Sequence, residues 1–118
     1  MIALKKLKRS LKFALRGVSI LWRNEPNFRW HIVIALAVII LMMLIGVVRS
    51  DAVVILLIIT FVITLEIVNT VVERLVDMLK PRLHTYAESI KDLMAALVLI
   101  GSTAAIIIGI VVFYPYIF

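Results

Sequence analysis

A chain of 118 residues and 13.3 kDa has room for one small domain, and its composition excludes a water-soluble one. Hydrophobic residues make up 64% and charged residues 17%, with a mean hydropathy of +1.18, more apolar surface than a fold of this size can bury. The net charge of +6 points to an anionic partner, and the lack of cysteine rules out disulfides, thiolate metal sites and a cysteine nucleophile. The chain reads as an all-α integral membrane protein, residues 1–118 forming a single domain.

Residues 1–29 precede any span. Leu4, Leu7, Leu11, Leu15 and Val18 recur at steps of three and four, with Lys5, Lys8, Lys12 and Arg16 set away from them. This predicts an amphipathic helix lying on the membrane surface, either as an anchor or as the wall of a site at the interface. Eight of the thirteen Lys and Arg residues fall before residue 30, beside a long apolar run, so the natural partner is an anionic bilayer surface and not nucleic acid. Asn24-Glu25-Pro26-Asn27 has the residues of an elbow.

The first span is predicted over 30–48, with His31 its one polar residue. It begins too late and runs too long for the apolar core of a cleavable signal peptide. After Arg49-Ser50-Asp51, a second span covers 52–79. It is cleanly apolar only to Leu65, continues helically through Glu66, Asn69, Glu73 and Asp77, and is stopped by Pro81. A third span covers 86–114, where Gly101, Ala105 and Gly109 offer a small-residue face for close packing. Trp22 and Trp30 suit one membrane interface, and Tyr114, Tyr116 and Phe118 the other. Cations gather at the N-terminus and in the second connection, which places both in the cytoplasm and puts Ser50 and the C-terminus outside.

The chemistry concentrates on the second span. Glu66, Asn69, Glu73 and Asp77 share one helical stripe roughly 80° wide. Carboxylates at membrane depth are expensive and face a bundle interior or a wet cavity. Three on one stripe repel unless a cation shares the site, either a metal ion or one of Lys91, Arg74 and Lys80. Oxygen ligands without cysteine favour Mg²⁺ over zinc. Glu88, Lys91 and Asp92 open the third helix and should approach the Glu73–Asp77 end of the stripe. One pair such as Asp77 with Lys91 is what a structural bridge needs; three acids with Asn69 are more than that. His31 and His84 read as lone histidines, interfacial or satisfied by backbone. The four glycines form neither a Walker A loop nor a dinucleotide-binding turn. Composition and spacing reach a three-span bundle with an acidic site at its cytoplasmic end, and no further.

The segment Glu66-Ile67-Val68-Asn69-Thr70-Val71-Val72-Glu73-Arg74-Leu75-Val76-Asp77 resembles the signature E-x-x-N-[ST]-x-x-E-x-x-x-D of the bacterial integral-membrane lipid kinases, the prokaryotic diacylglycerol kinase and undecaprenol kinase family. Ser10 to Gly17 is similar to the surface helix of that family. Glu25-Pro26-Asn27-Phe28-Arg29-Trp30-His31 is similar to the E-x-N-x-R-x-H elbow of its Gram-positive members, and His84 with Lys91-Asp92 keeps its spacing. The resemblance covers essentially the whole chain.

It implies a homotrimer in the bacterial plasma membrane, with active sites shared between protomers, that transfers the γ-phosphoryl group of MgATP to a lipid hydroxyl. The Gram-positive type of elbow favours undecaprenol over diacylglycerol. Carried over by position, Glu66 is the general base with Asn69 beside it, and Glu25 and Glu73 hold Mg²⁺ on the ATP phosphates. Lys91 neutralises phosphate charge. Lys6, Phe13, Asp77, Arg82, His84 and Asp92 join Glu25 and Glu73 around the nucleotide. Ala14, Gly17, Arg29 and Ala96 join Glu66 around the lipid. Val71, Met94 and Leu97 are bulkier than the family's usual residues there, which narrows the expected lipid slot. A small transporter with Glu66 as its coupling carboxylate is the alternative from another class, and a structural membrane oligomer a third. Glu73 and Asp77 near one end of the span argue against the transporter.

Overall fold

The computed structural model of the chain describes residues 1–79, 81–82 and 84–118. Four helices follow one another: α1 (Ile2–Asn24), α2 (Pro26–Ile45), α3 (Arg49–Leu79) and α4 (His84–Ile117). There is no strand among the described residues. The all-α architecture is as expected, and α2, α3 and α4 are each long and apolar enough to cross a membrane. Lys80, expected as a cation near the acidic stripe, lies outside the described residues.

The joints follow from single residues. Glu25, in extended backbone at φ −116° and ψ 99°, closes α1 by donating its N–H to the Leu21 carbonyl and opens α2 by accepting from the N–H of Arg29. Pro26 begins α2 because its fixed φ suits a first helical turn and its missing N–H would have no partner there. The elbow is therefore one residue wide. At the far end α2 stops on Gly46, which takes a left-handed φ of 76° that a side chain would disfavour. The N–H groups of Gly46 and Val47 both return to the Met42 carbonyl and close the helix end.

The lengths set what lies in the membrane. α3 has 31 residues and α4 has 34, so they run for ~46 and ~51 Å, against a hydrocarbon core of ~30 Å. Were their far ends placed at one interface, Glu73 and Asp77 on α3 and Lys91 and Asp92 on α4 would clear the core at the elbow end. Glu66 would then fall just inside it.

α3 is the centre of the bundle: α4 packs along it most extensively, α2 less so, and α1 meets only α2 to any extent. Gly101 is the tightest of the glycines: a Cβ there would collide with the Leu65 side chain and press on the Phe61 ring at 3.3 Å. The small-residue face predicted on α4 is split: Gly101 packs against α3, whereas Ala105 and Gly109 line an open groove. Few side chains are buried, and large apolar residues are exposed along all three long helices. Such a surface suits contact with lipid tails or other apolar helices, not with water.

Candidate active site

α2 and α4 meet chiefly through α3, and the space between them is an apolar groove of about 480 Å³. α3 contributes Ile55, Ile59, Val62 and Ile63, α4 contributes Ala105, Gly109 and Phe113, and α2 contributes Ala35, Val38 and Leu41. At its elbow end the groove meets His31. One turn beyond Val62 and Ile63, on the same face of α3, stands Glu66.

Glu66 is 5% exposed, and its Oε2 lies 3.5 Å from Nδ1 of His31. That nitrogen is buried and has no hydrogen-bond partner, so it is not satisfied by backbone. Thr70, also buried, donates its hydroxyl to the Glu66 carbonyl at 3.1 Å and so uses the backbone of its own helix. The Glu66 carboxylate is thus turned toward α2.

The rest of the stripe faces increasingly polar surroundings. Asn69 Nδ2 donates to Glu73 Oε1 at 3.4 Å, and Glu73 is exposed. Lys91 Nζ donates to Asp77 Oδ1 at 2.7 Å, which joins α4 to α3 and realises the expected approach of the two helices. The pair is open to water, so its electrostatic contribution is screened. Beside it a polar hollow of about 260 Å³ is lined by Ala87, Glu88, Lys91 and Asp92. His84 lies 3.5 Å from Glu88 one turn along α4, and Arg82 is exposed in the turn before it, its N–H bonded to the Leu79 carbonyl.

Other expected site residues are not brought to the stripe within one chain. Leu21 is the only buried residue of α1. Lys6, Phe13 and Ala14 are exposed there, Gly17 has nothing within 4 Å of a notional Cβ, and the Arg16 guanidinium sits over the Phe13 ring at 5.6 Å. Arg29 and Ala96 are exposed on α2 and α4. Glu25, half-buried at the elbow, contributes to both helix ends through its backbone and leaves its carboxylate unused there. Among the described residues no three His, Asp or Glu side chains come together as a metal cage.

Residues 12–113 match the profile of the prokaryotic diacylglycerol kinase family. The chain belongs to that family. It is 32% identical to the undecaprenol kinase of Bacillus subtilis over 112 residues, 95% of this chain and 91% of that protein. It is 34% identical to a diacylglycerol kinase of Synechocystis sp. over 101 residues, 85% of this chain but 58% of the relative. The chain is therefore a lipid kinase of the membrane, with a lipid and ATP as its substrates, and the transporter and structural-oligomer readings fall away.

Against that background His31 is the residue that spacing alone passed over. Its only sequence signal is its place in the Glu25 to His31 elbow segment. Its partner lies 35 residues away on another helix, and only the register of α2 on α3 brings the two together.

Proposed function

We propose that this kinase transfers the γ-phosphoryl group of ATP to the hydroxyl of undecaprenol, with diacylglycerol the weaker acceptor. The observation that carries this reading is the apolar groove that ends at His31, with the buried Glu66 carboxylate beside that histidine and exposed polar groups farther along the same stripe. A lipid chain laid in the groove places its hydroxyl at Glu66, and a nucleotide held by groups past the hydrocarbon boundary reaches the same point from the water. The Bacillus relative, matched over nearly its whole length, supports the polyprenol; the Synechocystis relative supports diacylglycerol as the alternative.

In this reading Glu66 accepts the hydroxyl proton as the lipid oxygen bonds to the γ-phosphorus and the bond to the ADP oxygen breaks. Asn69, one turn along, steadies Glu73 and the headgroup. Phosphoryl transfer asks mainly for positioning and charge neutralisation, and the stripe offers both. Lys91, with Asp77 holding its ammonium in place, faces phosphate charge, and Asp92, His84 and Arg82 line the nucleotide. Glu25 and Glu73 suit Mg²⁺, because an ion that arrives on a nucleotide needs only one or two hard carboxylates beside phosphate oxygens and water. Held there, Mg²⁺ would neutralise charge on the phosphates.

Lys6 and Phe13 on α1 complete the nucleotide site, and Ala14, Gly17, Arg29 and Ala96 the lipid site, in a homotrimer whose sites are shared between protomers. Sharing accounts for the separation of α1 from the stripe within one chain. The elbow end, which carries most of the cations, faces the cytoplasm, and the C-terminus lies outside.

The test is transfer of labelled phosphate from ATP to each lipid in mixed micelles of the purified protein. Undecaprenol is expected to be phosphorylated faster at equal mole fraction. Faster transfer to diacylglycerol would overturn the lipid assignment and leave the kinase standing.

A further inference from the structure

We propose that His31 is a positioning residue for Glu66, holding one carboxylate oxygen so that the other is presented to the lipid hydroxyl. This rests on the reading of Glu66 as the general base. The starting observation is a cost: Nδ1 of His31 is buried without a hydrogen-bond partner. A buried donor or acceptor left unpaired opposes folding, and a native structure keeps one only where something else is gained.

The group facing that nitrogen is the Glu66 carboxylate, with Oε2 at 3.5 Å. The separation is just too long for a good N–H···O bond, and a small movement of either side chain closes it. Catalytic contacts are commonly loose in the empty enzyme and tighten when substrate binds.

No competing charge takes over this role. On α2 the titratable neighbours of His31 in sequence are Glu25 and Arg29, both at the elbow. Arg23 ends α1. On α3 the next acid after Glu66 is Glu73, which is exposed and bonded to Asn69. α4 has no titratable side chain between Asp92 and Tyr114. Glu66 is the acid within ion-pair distance of His31 among the described residues.

The position of the pair explains what it does. His31 is on α2, one wall of the groove, and Glu66 on α3, the helix between its walls, and His31 lines the groove's end. A chain filling the groove shields the pair from water, and in that drier setting a hydrogen bond from Nδ1–H to Oε2 strengthens. A carboxylate has two oxygens, so this bond fixes its plane and leaves Oε1 to receive the proton. An imidazole N–H does this with a single donor, where an arginine would bring a permanent positive charge.

The test compares His31→Leu, His31→Asn, Glu66→Gln and the double variant His31→Leu/Glu66→Gln in the full-length purified enzyme. Turnover, KM for ATP and thermal inactivation are measured for each. His31→Leu should lower kcat roughly 10- to 100-fold, the worth of a hydrogen bond to a charged group, with KM for ATP unchanged. His31→Asn, whose amide nitrogen falls near the Nδ1 position, should recover most of that loss. The double variant should be no slower than Glu66→Gln, because the histidine acts only through the carboxylate.

Wild-type turnover in His31→Leu, with a slow Glu66→Gln, overturns this inference alone. So do multiplicative losses in the double variant, which would make His31 a packing residue. Near-normal turnover in Glu66→Gln overturns the base assignment and takes this inference with it.

Discussion

At the far end of the bundle the Tyr116 hydroxyl donates to Asp51 at 2.6 Å and accepts from the N–H of Val48 at 3.1 Å, so the end of α4 is clasped to the start of α3. At the elbow end the polar groups are more numerous and less satisfied: His31 Nδ1 lacks a hydrogen bond, Glu73 is held only at 3.4 Å, and Asp92 is exposed. Both ends join the same two long helices. The difference is that the Tyr116–Asp51–Val48 clasp satisfies its groups within the fold, whereas the elbow end holds capacity in reserve at Nδ1 of His31. Reserve of that kind opposes stability, and its place in a membrane protein is where a ligand supplies the missing partners.

The comparison can be broken by substitutions at each end. The largest effect is expected at Glu66→Gln, which keeps shape and removes basicity: turnover should fall roughly 10²–10⁴-fold while KM for ATP changes little. Lost nucleotide binding as the sole defect would make Glu66 a structural residue and erase the distinction between the ends. Next comes Glu73→Gln. The Mg²⁺ concentration for half-maximal rate should rise by at least the roughly 10–100-fold typical of groups that merely orient metal ligands, with high Mg²⁺ restoring turnover. A Mg²⁺ titration that overlays the wild type would remove the carboxylate from the metal assignment.

The groove sharpens the contrast through two glycines on one helix. Gly101→Leu drives a side chain into Leu65 and Phe61, and should lower stability by about 1–3 kcal/mol in a thermal inactivation series. A Cβ at Gly109 meets nothing within 4 Å, and Gly109 lines the groove, so Gly109→Leu has the groove to extend into. It should leave stability near wild type, raise KM for a long-chain lipid and spare KM for ATP. Equal lipid kinetics in Gly109→Leu and wild type would mean that the lipid chain lies elsewhere.

Much of this was legible in the sequence, for identifiable reasons. The spans follow from apolar runs that only a bilayer accommodates, and the joints at Pro26 and Pro81 from backbone preferences that act locally; the stop at Gly46, short of the expected end of the first span, was not read. The acidic stripe is visible because helical spacing carries Glu66, Asn69, Glu73 and Asp77 onto one face. What could not be read is what each face meets. Spacing marks Gly101, Ala105 and Gly109 as one small stripe, yet the crossing of α4 over α3 buries the first and opens the other two to the groove. His31 looked like an ordinary interfacial histidine, and Tyr116 like one of a belt of aromatics. Each has a specific partner set by tertiary register, Glu66 for one and Asp51 for the other.

Tyr116→Phe is the smallest expected effect and the control on the whole contrast. The ring stays and only the hydroxyl is lost, so packing is kept while Asp51 Oδ2 and the N–H of Val48 each lose a partner. The Val48 bond is exposed, and water can replace what the hydroxyl supplied there. Asp51 remains in the first turn of α3, where the exposed N–H groups and helix dipole still favour its charge. Thermal inactivation should therefore set in at a slightly lower temperature, with kcat and both KM values at wild-type levels. The measurement is inactivation temperature beside steady-state kinetics on the same preparation. A fall in kcat approaching that of Glu66→Gln would show that the far end takes part in catalysis, and that completed hydrogen bonds do not mark the purely structural end of this bundle.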